Sequence, residues 1–532
     1  MEFEPRPRLQ FQEISTTRSS TAPIVRALAL SRLGIPTYVW PTLFTALGGW
    51  LWGYDTGSIG PIIVMPQFEE QFGAISPTIQ GLLVSSIIAT AAVSSFGSGA
   101  LSDRISRTYT IALGAFVFSV GCAISCSAKA LPQLFIGRCI TGFGQGLNYS
   151  LLTDLVPRIG LYISSIIVYV CEISPASKRG RAMTTVQLFN TLGVAAGYFT
   201  CFGTVKHAGS ISWRLPLGMQ AIVAMVLAIG TPFFPHSPHW MLSVGRPSDA
   251  EATAVKLGLQ LTELRKEDEV AGSGPASRQT FMQQAKQLWG KDVRFRTSFG
   301  LFLLAMQQAC GIDAVLYYAP ILFQQAGLST TTASFLASGV SGIVMVVLTA
   351  GIHPFQDKWP RRTQTILGGS IIAGCMLLMG GLYASDAAQT TAGKRTLIAL
   401  IYIFIAAFIG TWAIVIRVIV SEIQPRRTRA AATSLAQCLS WVINWVIAFS
   451  TPLFLTRSKS GPYFMFGVCS VFTVVVCVVF QPETQGRSLD VPVEQGFEDT
   501  RVQAAVKGYF RSKSGESTTT SIQLVPVRTG NM

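Results

Sequence analysis

Two adjacent amides, an acid and two phenols interrupt a long apolar run at Gln307-Gln308-Ala309-Cys310-Gly311-Ile312-Asp313-Ala314-Val315-Leu316-Tyr317-Tyr318. The chemistry open to these residue types is recognition. A side-chain amide both donates and accepts, as a polyhydroxylated solute does. In hydrocarbon, each polar group without a partner costs several kcal/mol. A water-filled, ligand-binding cavity inside a helical membrane protein accounts for the string economically. Amides and aromatics gluing helices together would explain any one of these residues, but glue does not require them all at these positions.

Three charges, Asp313 among them, fall where charge is costly. Asp55 lies in an apolar stretch with no neighbouring base in sequence, and Asp313 and Arg417 both fall inside apolar segments. On insertion scales one such charge costs roughly 2.5–3.5 kcal/mol. Two readings of Asp313 and Arg417 stay open. They can form a structural pair across the cavity. Alternatively, a free Arg417 can meet the solute and favour an anionic hydroxy-acid of the quinate type, since guanidinium grips carboxylate in a fork.

These residues need elements to hold them in a membrane. The chain has 532 residues, 49% hydrophobic and only 13% charged, against roughly 25% charged in soluble domains. Runs of about 20 apolar residues can each cross a bilayer. Twelve such segments run from 38–64 to 462–481, and the fourth, 131–171, is too long for one crossing. The expected fold class is therefore an all-α membrane protein of twelve transmembrane helices in two six-helix halves. The expected divisions are a tail at 1–36, a first bundle at 37–234, a linker at 235–297, a second bundle at 298–481 and a tail at 482–532. The polar, arginine-bearing start argues against a cleaved signal peptide. With both tails cytosolic, the basic residues concentrate on inner loops, in keeping with the positive-inside rule. Much of the +15 net charge is then surface and tail charge beside the lipid bilayer, and nucleic-acid binding is unnecessary. The ten cysteines show no C-x-x-C pair and the four histidines no ligand spacing, so neither a metal nor a cofactor is expected.

The chain repeats itself at long period. Glu172 to Arg179 ends the fourth segment, and Glu422 to Arg429 ends the tenth with the same spacing. Asp103-Arg104-Ile-Ser-Arg107 follows the second, and Asp357-Lys358-Trp-Pro-Arg361 follows the eighth. Six plus six spans related by a parallel repeat is a carrier architecture. Acid and base at matching inner helix ends can pair across the half-to-half seam in one state and part in another, which makes Asp103, Arg104, Glu172, Arg179, Asp357, Arg361, Glu422 and Arg429 candidate gating residues.

Several motifs resemble those of the sugar porters, a branch of the major facilitator superfamily, across about residues 45–490. They include the Gln307–Tyr318 string, Gly53-Tyr54-Asp55-Thr56-Gly57, Gly137-Arg138, Trp213-Arg214-Leu-Pro216 and Pro482-Glu483-Thr484-Gln485-Gly486. Gln187 lies six residues before Gly193, and Trp441 and Asn444 follow Glu422 by nineteen and twenty-two residues, as in that family. The overall look is that of fungal sugar and quinate-type permeases. This resemblance implies that Gln187, Gln307, Gln308, Asp313, Trp441 and Asn444 face the solute, and that Tyr317 and Tyr318 belong to an outer gate. It also implies that Arg138 partners Asp55. An acid poised between burial and a cation can take up a proton on one side and release it on the other.

The departures are as informative. The seventh-segment asparagine is replaced by Asp313, and an eighth-segment asparagine by Met345. The G-P-x-x-W string reads Ala413-Ile-Val-Ile-Arg417, which predicts a less bendable tenth helix. The loop motif D-R-x-G-R-[RK] carries Ser106 and Thr108, and P-E-S-P-R reads Pro235-His236-Ser237-Pro238-His239. Residues 148–161 are extra relative to the family spacing between Arg138 and Glu172 and read as a retained intron or mispredicted exon. The expected function is alternating-access transport of a sugar, polyol or sugar-like acid, coupled to protons, across the plasma membrane. A facilitated-diffusion carrier or a non-transporting nutrient receptor are the alternatives. No nucleophile–base set or cofactor loop points to an enzyme.

Overall fold

The computed structural model describes residues 36–148, 165–175, 178–259, 288–290, 293–328, 330–356, 359–425 and 428–484. Among them every regular element is a helix. The first half contains α1 (Val39–Thr45), α2 (Leu47–Ile63), α3 (Pro66–Phe72), α4 (Pro77–Ile105), α5 (Arg107–Cys126), α6 (Leu131–Asn148), α7 (Ser165–Ile173), α8 (Arg179–Thr204) and α9 (Ile211–Gly230). Two short helices, α10 (Pro238–Ser243) and α11 (Pro247–Leu257), lead away from it. The second half contains α12 (Arg294–Ala309), α13 (Ile312–Tyr317), α14 (Ala319–Gln325), α15 (Thr331–Gln356) and α16 (Arg361–Ala384). It closes with α17 (Thr391–Ala407), α18 (Ala413–Glu422), α19 (Arg429–Arg457) and α20 (Gly461–Phe480).

Nine helices among the described residues are long and apolar enough to cross a membrane on their own. Three further crossings complete the two halves: α1 running into α2, α6 with α7, and the more polar α8. In the fourth crossing, α6 stops at Asn148 and α7 begins at Ser165. Almost all of the extra stretch at 148–161 therefore lies outside the described residues, as do the terminal tails and most of the linker.

Glycine sets the closest packing in the first half. A Cβ at Gly53 would fall 1.8 Å from the Asn190 carbonyl oxygen, and one at Gly57 would fall 2.2 Å from that of Val194. Gly193 and Gly197 meet Trp50 and Tyr54 backbone in the same way. Two glycines four apart on each of α2 and α8 thus bring the backbones together, the packing that replaces a hydrophobic drive inside lipid. Asp55 is two residues from both Gly53 and Gly57, which turns it to the other side of α2.

In the second half the seventh and tenth crossings are broken. Gly311 takes φ 86 between α12 and α13, a conformation open to glycine at little cost. In the tenth crossing, a wide π-turn at Phe408–Trp412 separates α17 from α18. The loss of proline and glycine there predicts a less bendable helix. The chain instead keeps an irregularity at this level by adding a residue to a turn.

Candidate functional site

The Asp55–Arg138 expectation has a specific geometry. Arg138 Nη1 donates to Asp55 Oδ1 at 3.0 Å and Nη2 to Oδ2 at 3.2 Å, a two-pronged pair with both residues buried. Arg138 Nε also donates to the Leu83 carbonyl at 2.8 Å. The guanidinium is thus held by α2 and α4 together while it rises from α6. A buried pair of this kind persists only where geometry and extra hydrogen bonds offset desolvation.

The amides of the second half are anchored through their nitrogens. Gln307 Nε2 donates to the Trp412 carbonyl at 2.7 Å, at the end of the π-turn. A carbonyl can only accept, so this bond fixes which way the amide lies. Gln308 Nε2 donates to Ser440 Oγ at 3.2 Å. The remaining oxygens, Gln307 Oε1 and Gln308 Oε1, are buried without a hydrogen-bond partner, as is Asn444 Oδ1. Trp441 is buried, and its ring centroid lies 5.6 Å from that of Trp52, so the two halves meet through indoles. Gln187 is half-buried on α8 in the opposite half. At the eighth-segment position Met345 is buried in the apolar core of the second half, so no amide faces the solute there.

Asp313 and Arg417 do not form an ion pair with each other, although the arginine lies close enough for its charge to act on the carboxylate. Asp313 is half-buried in the first turn of α13, just after Gly311. The Tyr317 phenol is buried within electrostatic reach of both Asp313 and Asp55. One tyrosine therefore stands between the acids of the two halves.

Tyr317 and Tyr318 pack with Ile59, Ile63, Val84 and Trp441 in an apolar cluster spanning both halves. Tyr318 Oη donates to the Ala448 carbonyl at 2.7 Å, and Tyr198 Oη donates to the Leu316 carbonyl across the seam. A Cβ at Gly60 would fall 1.8 Å from the Tyr317 carbonyl oxygen, and one at Gly81 would fall 2.3 Å from that of Phe449. This end of the seam is shut by backbone meeting backbone.

At the other end, acids pair with bases inside each half. Glu172 meets Arg107 at 3.4 Å, and Glu422 meets Arg361 at 3.8 Å. Arg107 and Arg361 each lie four residues after the repeated aspartate, so the two pairs are images of one another. The side chains of Asp103, Arg104, Arg179, Asp357 and Arg429 lie outside the described residues. Arg107 was missed in the sequence, where the repeated D-x-x-x-R spacing was the available signal. The role of the Pro482-Glu483-Thr484 string was missed as well. Glu483 accepts from the backbone N–H of Arg361 at 2.9 Å and of Arg362 at 3.1 Å, capping the start of α16, and Thr484 Oγ1 donates to Glu422 Oε2 at 2.6 Å.

Two motif departures meet in space. His236 Nδ1 shares hydrogen bonds with Thr108 Oγ1 at 2.7 Å and Ser106 Oγ at 2.8 Å. Ser106 sits at φ 97, where the usual glycine is at ease and a serine is strained. Burial, and secondarily the charge of Arg246, pushes the His236 imidazole below its ordinary pKa, favouring the neutral ring.

A helical membrane bundle in two halves, with a buried acid–guanidinium pair in one and anchored buried amides in the other, defines a membrane carrier of the major facilitator fold. The chain belongs to the sugar (and other) transporter family, whose model matches residues 42–493. It is 28% identical to the low-affinity glucose transporter HXT1 of Saccharomyces cerevisiae, covering 88% of this chain and 84% of the relative. It is also 28% identical to the arabinose-proton symporter of Bacillus subtilis, covering 84% and 92%. The high glucose sensor RGT2 of S. cerevisiae is similar at 28% identity, covering 84% of this chain and 59% of the sensor. Among solved structures, the inward-open xylose transporter XylE of Escherichia coli superposes with TM-score 0.70 at 21% identity, covering 86% of this chain and all of that one. The XylE proton:xylose symporter bound to 6-bromo-6-deoxy-D-glucose gives 0.67 at 22% identity, covering 86% and 99%.

Proposed function

We propose that this protein is a proton-coupled symporter that moves a sugar, polyol or sugar-like acid by alternating access, with no covalent chemistry. The single observation that carries the coupling is the buried, two-pronged Asp55–Arg138 pair. A proton on Asp55 removes its charge and loosens its hold on Arg138. Deprotonation restores both. The name of the arabinose-proton symporter supports this reading. The solute is held by Gln187, Gln307, Gln308 and Asn444, with Trp441 beside them. The inner acid–base pairs and the glycine-lined seam alternate as the two gates. In this reading the Glu172–Arg107 end faces the cytosol, both tails are cytosolic and the membrane is the plasma membrane. Residues 37–234 and 298–481 are the moving halves, and 235–297 links them.

The test is solute-induced proton uptake in yeast lacking its own hexose carriers, with the full chain expressed. The expected result is alkalinisation of the medium with a transported solute, abolished in Asp55→Asn while downhill exchange of the solute persists. Intact uphill accumulation in Asp55→Asn would sink the symport reading. The likeness to RGT2 favours a second reading, a nutrient receptor that binds without transport. Saturable binding with neither uptake nor exchange selects it.

A further inference from the structure

We infer that the Tyr198 hydroxyl is a latch between the two halves, holding the outer end shut by serving a backbone carbonyl that a proline has deprived of its own donor. The inference rests on the transport reading above and deepens it by naming a residue that sets the balance between its two states.

Proline decides which carbonyls at this end need help. A helical carbonyl accepts from the N–H four residues on, and proline has none to give. Leu316 stands four residues before Pro320, at the junction of α13 and α14, and Ala448 stands four before Pro452 inside α19. Within a membrane a carbonyl freed in this way is served by side chains of neighbouring helices. In both places a tyrosine hydroxyl is the donor: Tyr318 to Ala448, and Tyr198 to Leu316. The two bonds differ in one respect. Tyr318 and Ala448 belong to the same half, whereas Tyr198 stands on α8 of the first half and Leu316 on α13 of the second.

Tyr198 is fully buried. Among the described residues, it and Val194 are first-half side chains in an apolar cluster otherwise built from the second half, with Leu303, Leu304, Leu316 and Phe323 among its members. A Cβ at Gly342 would fall 2.7 Å from the Ala195 Cα, and one at Gly339 would fall 3.0 Å from the Phe199 ring. The two halves thus meet closely at the positions that flank Tyr198 along α8. Parting the halves at this end withdraws the hydroxyl from the carbonyl, and water entering the gap can serve both. Without the hydroxyl, the shut state would bury a carbonyl that has lost its donor, while the open state would hydrate it. The penalty falls on one state alone, and a conformational equilibrium responds only to such differences.

The test measures the separation of the halves at the outer end. α8 leads away from Glu172, and α17 and α18 lead towards Glu422, so the exposed residues Ala208 and Ala392 mark the outer ends of the two halves. The full chain carries p-acetylphenylalanine at both positions for nitroxide labelling, which leaves the ten native cysteines in place. Pulsed electron spin resonance in nanodiscs then reads the ratio of long to short distances. Tyr198→Phe keeps the ring and should raise that ratio about tenfold over wild type. Tyr402→Phe loses a comparable bond, to the Ala337 carbonyl inside the second half, and should leave the ratio unchanged. Pro320→Ala offers the Leu316 carbonyl an N–H from its own chain, so on that background Tyr198→Phe should shift the ratio by less than about twofold. Two distances in the wild-type ratio for Tyr198→Phe, an equal shift in Tyr402→Phe, or the full shift retained on the Pro320→Ala background overturns the latch. Each of these leaves transport to be judged by proton uptake. A single distance common to all the proteins, with or without D-glucose or D-xylose and in acid or neutral buffer, overturns alternating access as well.

Discussion

The imidazole of His236 and the hydroxyl of Thr108 lie 2.7 Å apart, and each stands where the related motif carries a charge. A base at position 108 and an acid at position 236 would form a salt bridge there. This chain has replaced both ends of that bridge with a neutral hydrogen bond and drawn in Ser106 as a third member. The serine's strained backbone is tolerated because its hydroxyl reaches His236.

That arrangement predicts strong coupling. Thr108→Arg or His236→Glu alone should destabilise the protein by about 1–3 kcal/mol, because each leaves a charge in a half-buried neutral site. The double variant should recover most of the loss. Melting temperatures of the four proteins in detergent form a double-mutant cycle, and additive losses would show that the two sites do not communicate.

The same histidine gives a pH dependence with a definite sign. Its folded pKa lies below its unfolded value of about 6.5, so the unfolded chain binds the proton more readily. Stability from the neutral ring is complete above that value and is lost as pH falls from about 6.5 to the lower folded pKa. Besides burial, the charge bearing on the ring is that of Arg246. The stability advantage of wild type over His236→Gln should shrink across that window in a melting-temperature series.

Arg138→Leu should be far more damaging than Asp55→Asn. The first leaves a carboxylate buried without its two guanidinium bonds, at a cost of about 3–5 kcal/mol. The second leaves Arg138 its bond to the Leu83 carbonyl. Surface expression and thermal stability should fall in Arg138→Leu and hold in Asp55→Asn, and the reverse order would contradict the geometry.

Gly60→Val should block transport without abolishing binding. Its side chain would occupy the space now taken by the Tyr317 carbonyl, so the two halves could not close at that end. Equilibrium binding of a transported solute should survive in purified protein while uptake into cells falls to background. Normal uptake would show that this seam does not need to close so tightly.

Much of this architecture was legible in sequence because lipid imposes a length and a polarity on each crossing. The Gln307–Tyr318 string marked polar groups that need partners at that depth, and the two amide nitrogens find them in the Trp412 carbonyl and Ser440. The Asp55–Arg138 geometry agrees with what the motif resemblance implies. The acid–base partners were harder. Glu172 was matched with Arg179 by spacing along the chain, whereas folding brings it to Arg107 through contacts that no linear count contains. His236 and Thr108 stood out only as two separate departures 128 residues apart. The missing proline predicts a less bendable tenth helix, and the π-turn at Phe408–Trp412 escapes such a reading because it needs no proline.

That π-turn has a consequence for register. A turn closed over five residues instead of four adds one residue to the helix, and one residue turns side chains by about 100°. Everything from Ala413 to Glu422 is thereby rotated about the helix axis relative to a continuous helix begun at Thr391. Equivalences counted forward from the start of this crossing assign Arg417 to the wrong face, and those counted back from Glu422 do not. Deleting Gly410 would restore an even helical pitch and swing either Arg417 or the start of the crossing by more than a quarter turn. The direction in which the arginine leaves the helix is thus set by a single added residue nearly two turns away.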